Sequence, residues 1–163
     1  MSVFQSQYTR ALKVIPSDNA NIPYPNLITS GITTNDALDS LIDDNADFIS
    51  DNIQAGDIVY NTSNNFAATV IAVDSATRLL LNADVIPSSG TLYSIYNASS
   101  QTSNAPQGCY LYIGADGNVE ATTLGGDRVI FNDLKGGTTL PVQVIKVHSS
   151  EGGTTSTSII ALW

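Results

Sequence analysis

Gly56-Asp57-Ile58-Val59-Tyr60-Asn61-Thr62-Ser63-Asn64-Asn65-Phe66-Ala67-Ala68-Thr69-Val70-Ile71-Ala72-Val73-Asp74-Ser75-Ala76-Thr77-Arg78-Leu79-Leu80-Leu81 is the stretch that decides the fold. Gly56-Asp57, Asn64-Asn65 and Asp74 to Thr77 are turn chemistry, and between them lie short apolar and β-branched runs. A further run, Thr91-Leu92-Tyr93-Ser94-Ile95-Tyr96, follows the turn Pro87-Ser88-Ser89-Gly90. Short strands parted by turns at near-regular intervals predict a small barrel or sandwich. Long heptads and Ala/Glu/Lys/Leu stretches are absent, so the expected fold class is all-β.

The same grammar resumes after a polar interval. Residues 98–108 have almost no apolar content and read as a linker. Beyond it, Tyr110–Ile113 and Asn118–Ala121 are expected to form a hairpin across Ala115-Asp116-Gly117. Gly125-Gly126-Asp127 opens a strand at Arg128–Phe131, and Leu140–Val147 and Ser158–Trp163 are the last two, joined through Glu151-Gly152-Gly153. The last run ends on Trp163, the sole tryptophan. Chain ends fray unless a strand or a docking contact holds them. Ile159–Trp163 is therefore expected to complete a sheet with Trp163 packed. A module of about 55 residues buries little surface and is marginal alone, so 109–163 is expected to lean on the first module or on other subunits.

Residues 1–32 read as an extended arm. Pro16, Pro23 and Pro25 interrupt it, and Ile22-Pro23-Tyr24-Pro25 favours a polyproline-like path. Phe4, Tyr8, Ile15, Pro23, Tyr24 and Pro25 on this arm, with Trp163, are the candidate contacts to other subunits. The arm lies along its own domain or reaches across a neighbour; the residues alone fit both. The first β module, 33–97, opens with an Asp-rich stretch. Leu38, Leu41, Ile42 and Ile49 have helix-like spacing there, but Asn and Asp favour turns, so a short helical or turn segment is expected.

Composition excludes several function classes. The chain has 163 residues, 42% hydrophobic, and a net charge of −9 from 15 acidic and six basic residues. The basic residues are scattered, whereas a nucleic-acid binder needs a basic groove. Direct nucleic-acid binding and attachment to anionic membranes are not expected. No run approaches the roughly 18 apolar residues of a membrane span, and no signal peptide is visible. Cys109, the single cysteine, rules out an intramolecular disulfide and reads as a small buried hydrophobe.

Candidate chemistry is sparse. His148 is the only histidine, at a strand end with Ser149 and Ser150 beside it; a Ser-His-Asp triad can be imagined, since Asp residues are plentiful, but no Gly-x-Ser-x-Gly elbow accompanies it. Asp43, Asn45, Asp47 and Asp51 alternate as in a calcium loop. Phe48 stands where that loop needs glycine and Gln54 where it needs a bidentate Glu, so it is not an EF-hand. These four are only weak metal candidates beside their reading as solvated turn residues. No cofactor and no catalytic residue is expected.

The C-terminal module resembles small structural proteins of tailed bacteriophages. The residues that carry the likeness are Gly126–Phe131, Gly137–Val144, Thr154-Thr155 and Ile159–Trp163. Gly56–Asn61, Ala68-Thr69-Val70, Leu79–Leu81 and Tyr93–Tyr96 are similar to a barrel-like module of phage virion proteins. The likeness covers roughly residues 40–163. It implies a non-enzymatic virion component, of the capsid-decoration or accessory type, present as a homo-oligomer such as a trimer and contacting other virion proteins such as the major capsid protein. A neck, tail or baseplate component is the alternative within that class. A receptor- or glycan-binding spike module is the alternative outside it, with Tyr93, Tyr96, Tyr110 and Tyr112 as its only available aromatic platform.

Overall fold

The computed structural model describes residues 8–98, 108–149 and 153–163. Phe4, most of the expected linker and the turn at 151–152 lie outside them. The described chain is all-β, with no helix, and its twelve strands form two six-stranded antiparallel sheets.

The first sheet holds Leu27–Ile32 (β2), Ser40–Ile42 (β3), Ile58–Asn61 (β4), Phe66–Ser75 (β5), Arg78–Leu81 (β6) and Leu92–Tyr96 (β7), in the order β2-β7-β4-β5-β6-β3. Register shifts between Val70 and Ala72 and between Val73 and Ser75 bend the ten-residue β5. That bend turns the sheet on itself. Just beyond β2, the Thr34 N–H donates to the Ile42 carbonyl (2.9 Å), and Asn35 bridges Ile42, so the two ends of the sheet meet. The result is a small barrel-like module around Leu41, Phe48, Val59, Val70, Leu79, Leu81, Ile86 and Ile95.

The Asp-rich stretch forms turns rather than a helix. Asp43 Oδ1 accepts from the Asn45 N–H (2.9 Å), and Asp47 accepts from the Ser50 N–H (3.0 Å) and hydroxyl (2.8 Å). Such side-chain bonds offer the backbone an alternative to the helical ladder. Of the residues with helix-like spacing, Leu41 is buried on β3, whereas Leu38 and Ile49 project into solvent from turns.

The second sheet holds Ala11–Lys13 (β1), Cys109–Ile113 (β8), Gly117–Thr123 (β9), Arg128–Leu134 (β10), Thr138–Val147 (β11) and Ile159–Leu162 (β12), ordered β1-β12-β8-β11-β9-β10. The expected hairpin between β8 and β9 does not form. The ten-residue β11 lies between them, pairing its first half with β8 (Leu140 opposite Leu111) and its second with β9 (Val147 opposite Ala121). Cys109, Leu111 and Ile113 of β8 and Val119 and Ala121 of β9 all enter one core with Val144, Val147, Ile159 and Ala161. The short turn at 115–117 thus carries the chain past the end of the core instead of folding it back edge to edge. β12 is an interior strand: Ala161 pairs with Leu111 on one side and Leu12 on the other.

The described part of the arm is extended and divides between the sheets: β1 belongs to the second, β2 to the first. Residues 14–26 between them form a strap. On one side, the Val14, Ser17 and Ile22 N–H groups donate to the Ile159, Val147 and Ile145 carbonyls (2.8–2.9 Å). On the other, the Ser17 hydroxyl donates to Ala67 O (2.8 Å), and Asn19 O accepts from the Thr69 hydroxyl (2.9 Å) and the Asn82 amide (2.7 Å). Ile15 and Ala20 fill the space beside Ile58, Tyr60 and Ala67 of the first module. The strap therefore joins the second module to the first.

Candidate functional site

The densest polar cluster outside the turns sits where the strap crosses the second sheet. His148 is buried at the end of β11. Its Nδ1 faces Asp18 Oδ1 on the strap (2.7 Å), and its Nε2 faces the Thr122 hydroxyl on β9 (2.8 Å). The Ser149 hydroxyl donates to Asp18 Oδ2 (2.5 Å), and the Lys146 ammonium donates to the Asp18 carbonyl (3.1 Å). The Ser149 hydrogen bond, then that of His148, hold the Asp18 carboxyl below its ordinary range. Beside them, Arg128 Nε bonds Glu120 Oε1 (2.6 Å), which keeps the Glu120 carboxyl low as well.

The connectivity Asp18–His148–Thr122 has the order of an acid–base–nucleophile relay. Its setting differs from one. Three adjoining clefts at the junction, of about 310, 310 and 380 Å³, share Pro16 and are walled by Asn65, Phe66 and the 154–159 segment. They expose Asp18 and Ser149 but are lined by neither His148 nor Thr122. Both ring nitrogens of His148 are occupied within the chain. The arrangement fastens the strap to β9 and β11. Sequence reading had named His148 but had no signal for its partners, since Asp18 lies 130 residues away.

The four acidic-stretch candidates are not brought together. Asp43 is buried, with Oδ2 accepting from the Tyr93 hydroxyl (2.7 Å); Asp47 caps its own turn; Asn45 is exposed and Asp51 half-buried. Among the described residues no group of three or more His, Cys, Asp or Glu side chains is placed to hold a metal ion.

The arm residues expected at an interface make contacts inside the chain wherever they are described. Ile15 and Pro23 are buried. Tyr8 packs its ring on Tyr110 (5.5 Å between centroids). Tyr24 meets the Trp163 ring edge-on (5.8 Å) and receives the Arg10 guanidinium over its ring (5.1 Å), and the Arg10 guanidinium also donates to Pro25 O. Thr9 and Arg10 N–H groups both reach Trp163 O (2.5 and 3.0 Å). Trp163 is half-buried, packed as the sequence implies.

The tyrosines do not assemble a platform. Tyr93 is buried, Tyr96 stacks edge-on to buried Tyr60, Tyr110 faces Tyr8, and Tyr112 alone is largely exposed. What the surface does present is unpaired strand. β10 forms an edge of the second sheet and is exposed along most of its length, with Val129 at 40% and Ile130 at 47% of full exposure. Ile32 and Leu92, directly opposite each other on β2 and β7, form a second exposed apolar pair. Sequence reading placed strands at β10 and β7 but took β2 as part of the arm, and it did not show which strands would lie at an edge. No family model, curated protein or solved structure matches the chain.

Proposed function

We infer that this chain is a non-enzymatic structural component of a tailed-bacteriophage particle, of the capsid-decoration or accessory type, acting through contacts between copies of itself and with other virion proteins such as the capsid shell. The observation that carries the reading is β10. A seven-residue edge strand bearing Val129, Ile130 and Phe131 offers open backbone donors and acceptors together with apolar side chains. Monomeric proteins blunt such edges with charge, bulges, proline or cover; on β10 charge and a register shift stand only towards the ends, at Arg128 and from Phe131 to Leu134, and leave the apolar run between them open to a partner. The internally satisfied His148 and the turn-capping aspartates support a role without catalysis. So does the likeness of Gly126–Phe131 and Gly137–Val144 to small virion proteins.

The test is addition of the purified full chain to particles that lack it, followed by electron microscopy. The expected result is extra density repeated at symmetry-related positions on the shell. Density confined to a neck, tail or baseplate ring places the chain in that part of the particle instead. A chain that stays monomeric and is taken up nowhere on the particle overturns the reading.

A further inference from the structure

We propose that copies of this chain join head to tail, with β10 of one copy adding to the free edge of β1 on the next. The proposal deepens the structural-component reading and rests on it. The second sheet has two edges, β1 and β10, and a neighbouring copy that bridges them continues one sheet across the subunit boundary.

Among the described residues, backbone geometry leaves both edges open. Arg10 exchanges bonds with Trp163, and the Val14 N–H donates to the Ile159 carbonyl, so by alternation the N–H and C=O groups of Ala11 and Lys13 point away from β12. Both residues are exposed. On β10, Asp127 O accepts from the Thr123 N–H, so the groups of Arg128 and Ile130 point away from β9 in the same way.

Charge selects the pairing. Among the six basic residues, Arg78, Arg128 and Lys135 each sit in an ion pair with a carboxylate, and Lys146 reaches only a carbonyl. Arg10 and Lys13 have no carboxylate partner among the described residues, and both lie at β1. In a chain of net charge −9, this edge is where an acidic strand is least repelled. β10 carries Arg128, whose charge is taken up by Glu120, and Asp133, with Asp127 just before it; both aspartates are exposed and in no ion pair among the described residues, so the free charge at this edge is acidic. Pairing of β10 with β10 would set two edges with free acidic charge against each other, with no free basic group between them, which like-charge repulsion disfavours. Unlike edges make a heterologous contact, which closes into a ring when the rotation permits.

The experiment is sedimentation of the full chain at low and high salt, alone and as Lys13→Glu and Ile130→Pro. Ile130→Pro removes an N–H that its own sheet does not use, so folding is retained while strand addition is blocked; circular dichroism confirms the fold. The expected result is self-association that weakens with salt and whose dissociation constant rises about tenfold in each variant. A second arm mixes Ala11→Cys copies with Ile130→Cys copies and a short bis-maleimide, native Cys109 being buried. Cross-links are expected between the two kinds of copy and not among Ile130→Cys copies alone. A monomer under all conditions, self-association unchanged in both variants, or cross-linking of Ile130→Cys copies to one another overturns the head-to-tail contact. Particle uptake is scored separately: wild-type uptake with unaltered association of the variants removes this contact and keeps the structural role, whereas absent wild-type uptake removes the role.

Discussion

At Cys109, full burial pushes the thiol up to about 12, because the apolar core disfavours the thiolate. A disulfide reagent at pH 8 is therefore expected to leave the native chain unmodified and to react with one thiol per chain after denaturant is added. Rapid labelling of the native state would show that the second core opens far more readily than its packing implies. Asp18 gives the pH prediction. Its folded value lies below the ordinary 3.8, so its contribution is fully present above that pH and is lost as pH falls through the lowered folded value. Asp18→Asn keeps the size but weakens the charge-assisted bonds to His148 and Ser149, and Asp18 is 41% exposed, so solvent screens part of the effect. The variant is expected to unfold about 1 kcal/mol more easily at pH 6. The gap should close progressively below pH 3.8 in urea titrations. A gap that persists undiminished to pH 2 would mean that the carboxylate charge is not what holds the strap.

Strand β2 shows how tightly an element can be tied to a site far along the chain. A Cβ built on Gly31 would lie 2.6 Å from the Tyr93 hydroxyl and 2.7 Å from Asp43 Oδ2, two atoms already bonded to each other inside the barrel. Gly31→Ala must therefore push apart a buried hydrogen bond. It is expected to cost about 1–3 kcal/mol by chemical denaturation, whereas Gly90→Ala, with open space around it, pays only the strain of its positive φ. Equal losses in the two would sink this account of Gly31. The same strand marks the limit of reading the sequence. Runs such as Phe66–Val73 and Leu140–Val147 were legible as strands because β-branched residues lie between turn signals. β1, β2 and β3 were not, since prolines and aspartates beside them spoke for an arm and for turns. Pairing was less legible still. The 115–117 turn looks local, yet β8 and β9 are separated by a strand that arrives more than twenty residues later. Asp18, Thr122 and His148 meet only because the strap crosses the second sheet, and no local pattern encodes that crossing.

For the molecule as a whole, the strap decides whether two small β modules behave as one folding unit. Each module alone is small enough to be marginal, and what joins them is a line of backbone bonds on the second sheet and a patch of side chains on the first. Ile15 is the centre of that patch, 7% exposed beside Ile58, Tyr60 and Ala67. Placing a charge there strands it among apolar groups without a partner. The sole tryptophan lies on the second sheet, whereas the tyrosines are spread over both, with Tyr60 and Tyr93 buried in the first and Tyr110 and Tyr112 on β8 of the second, so tryptophan fluorescence follows one module and the tyrosine signal follows both. In the native chain, Trp163 fluorescence and the near-ultraviolet circular dichroism of the tyrosines are expected to change together along a urea titration, as a two-state unit requires. In Ile15→Asp, the strap should release the first module at a cost of about 3 kcal/mol or more, and the two signals should separate into transitions with different midpoints. Coincident curves in the variant, shifted by the same amount, would show instead that the modules are coupled by contacts other than the strap.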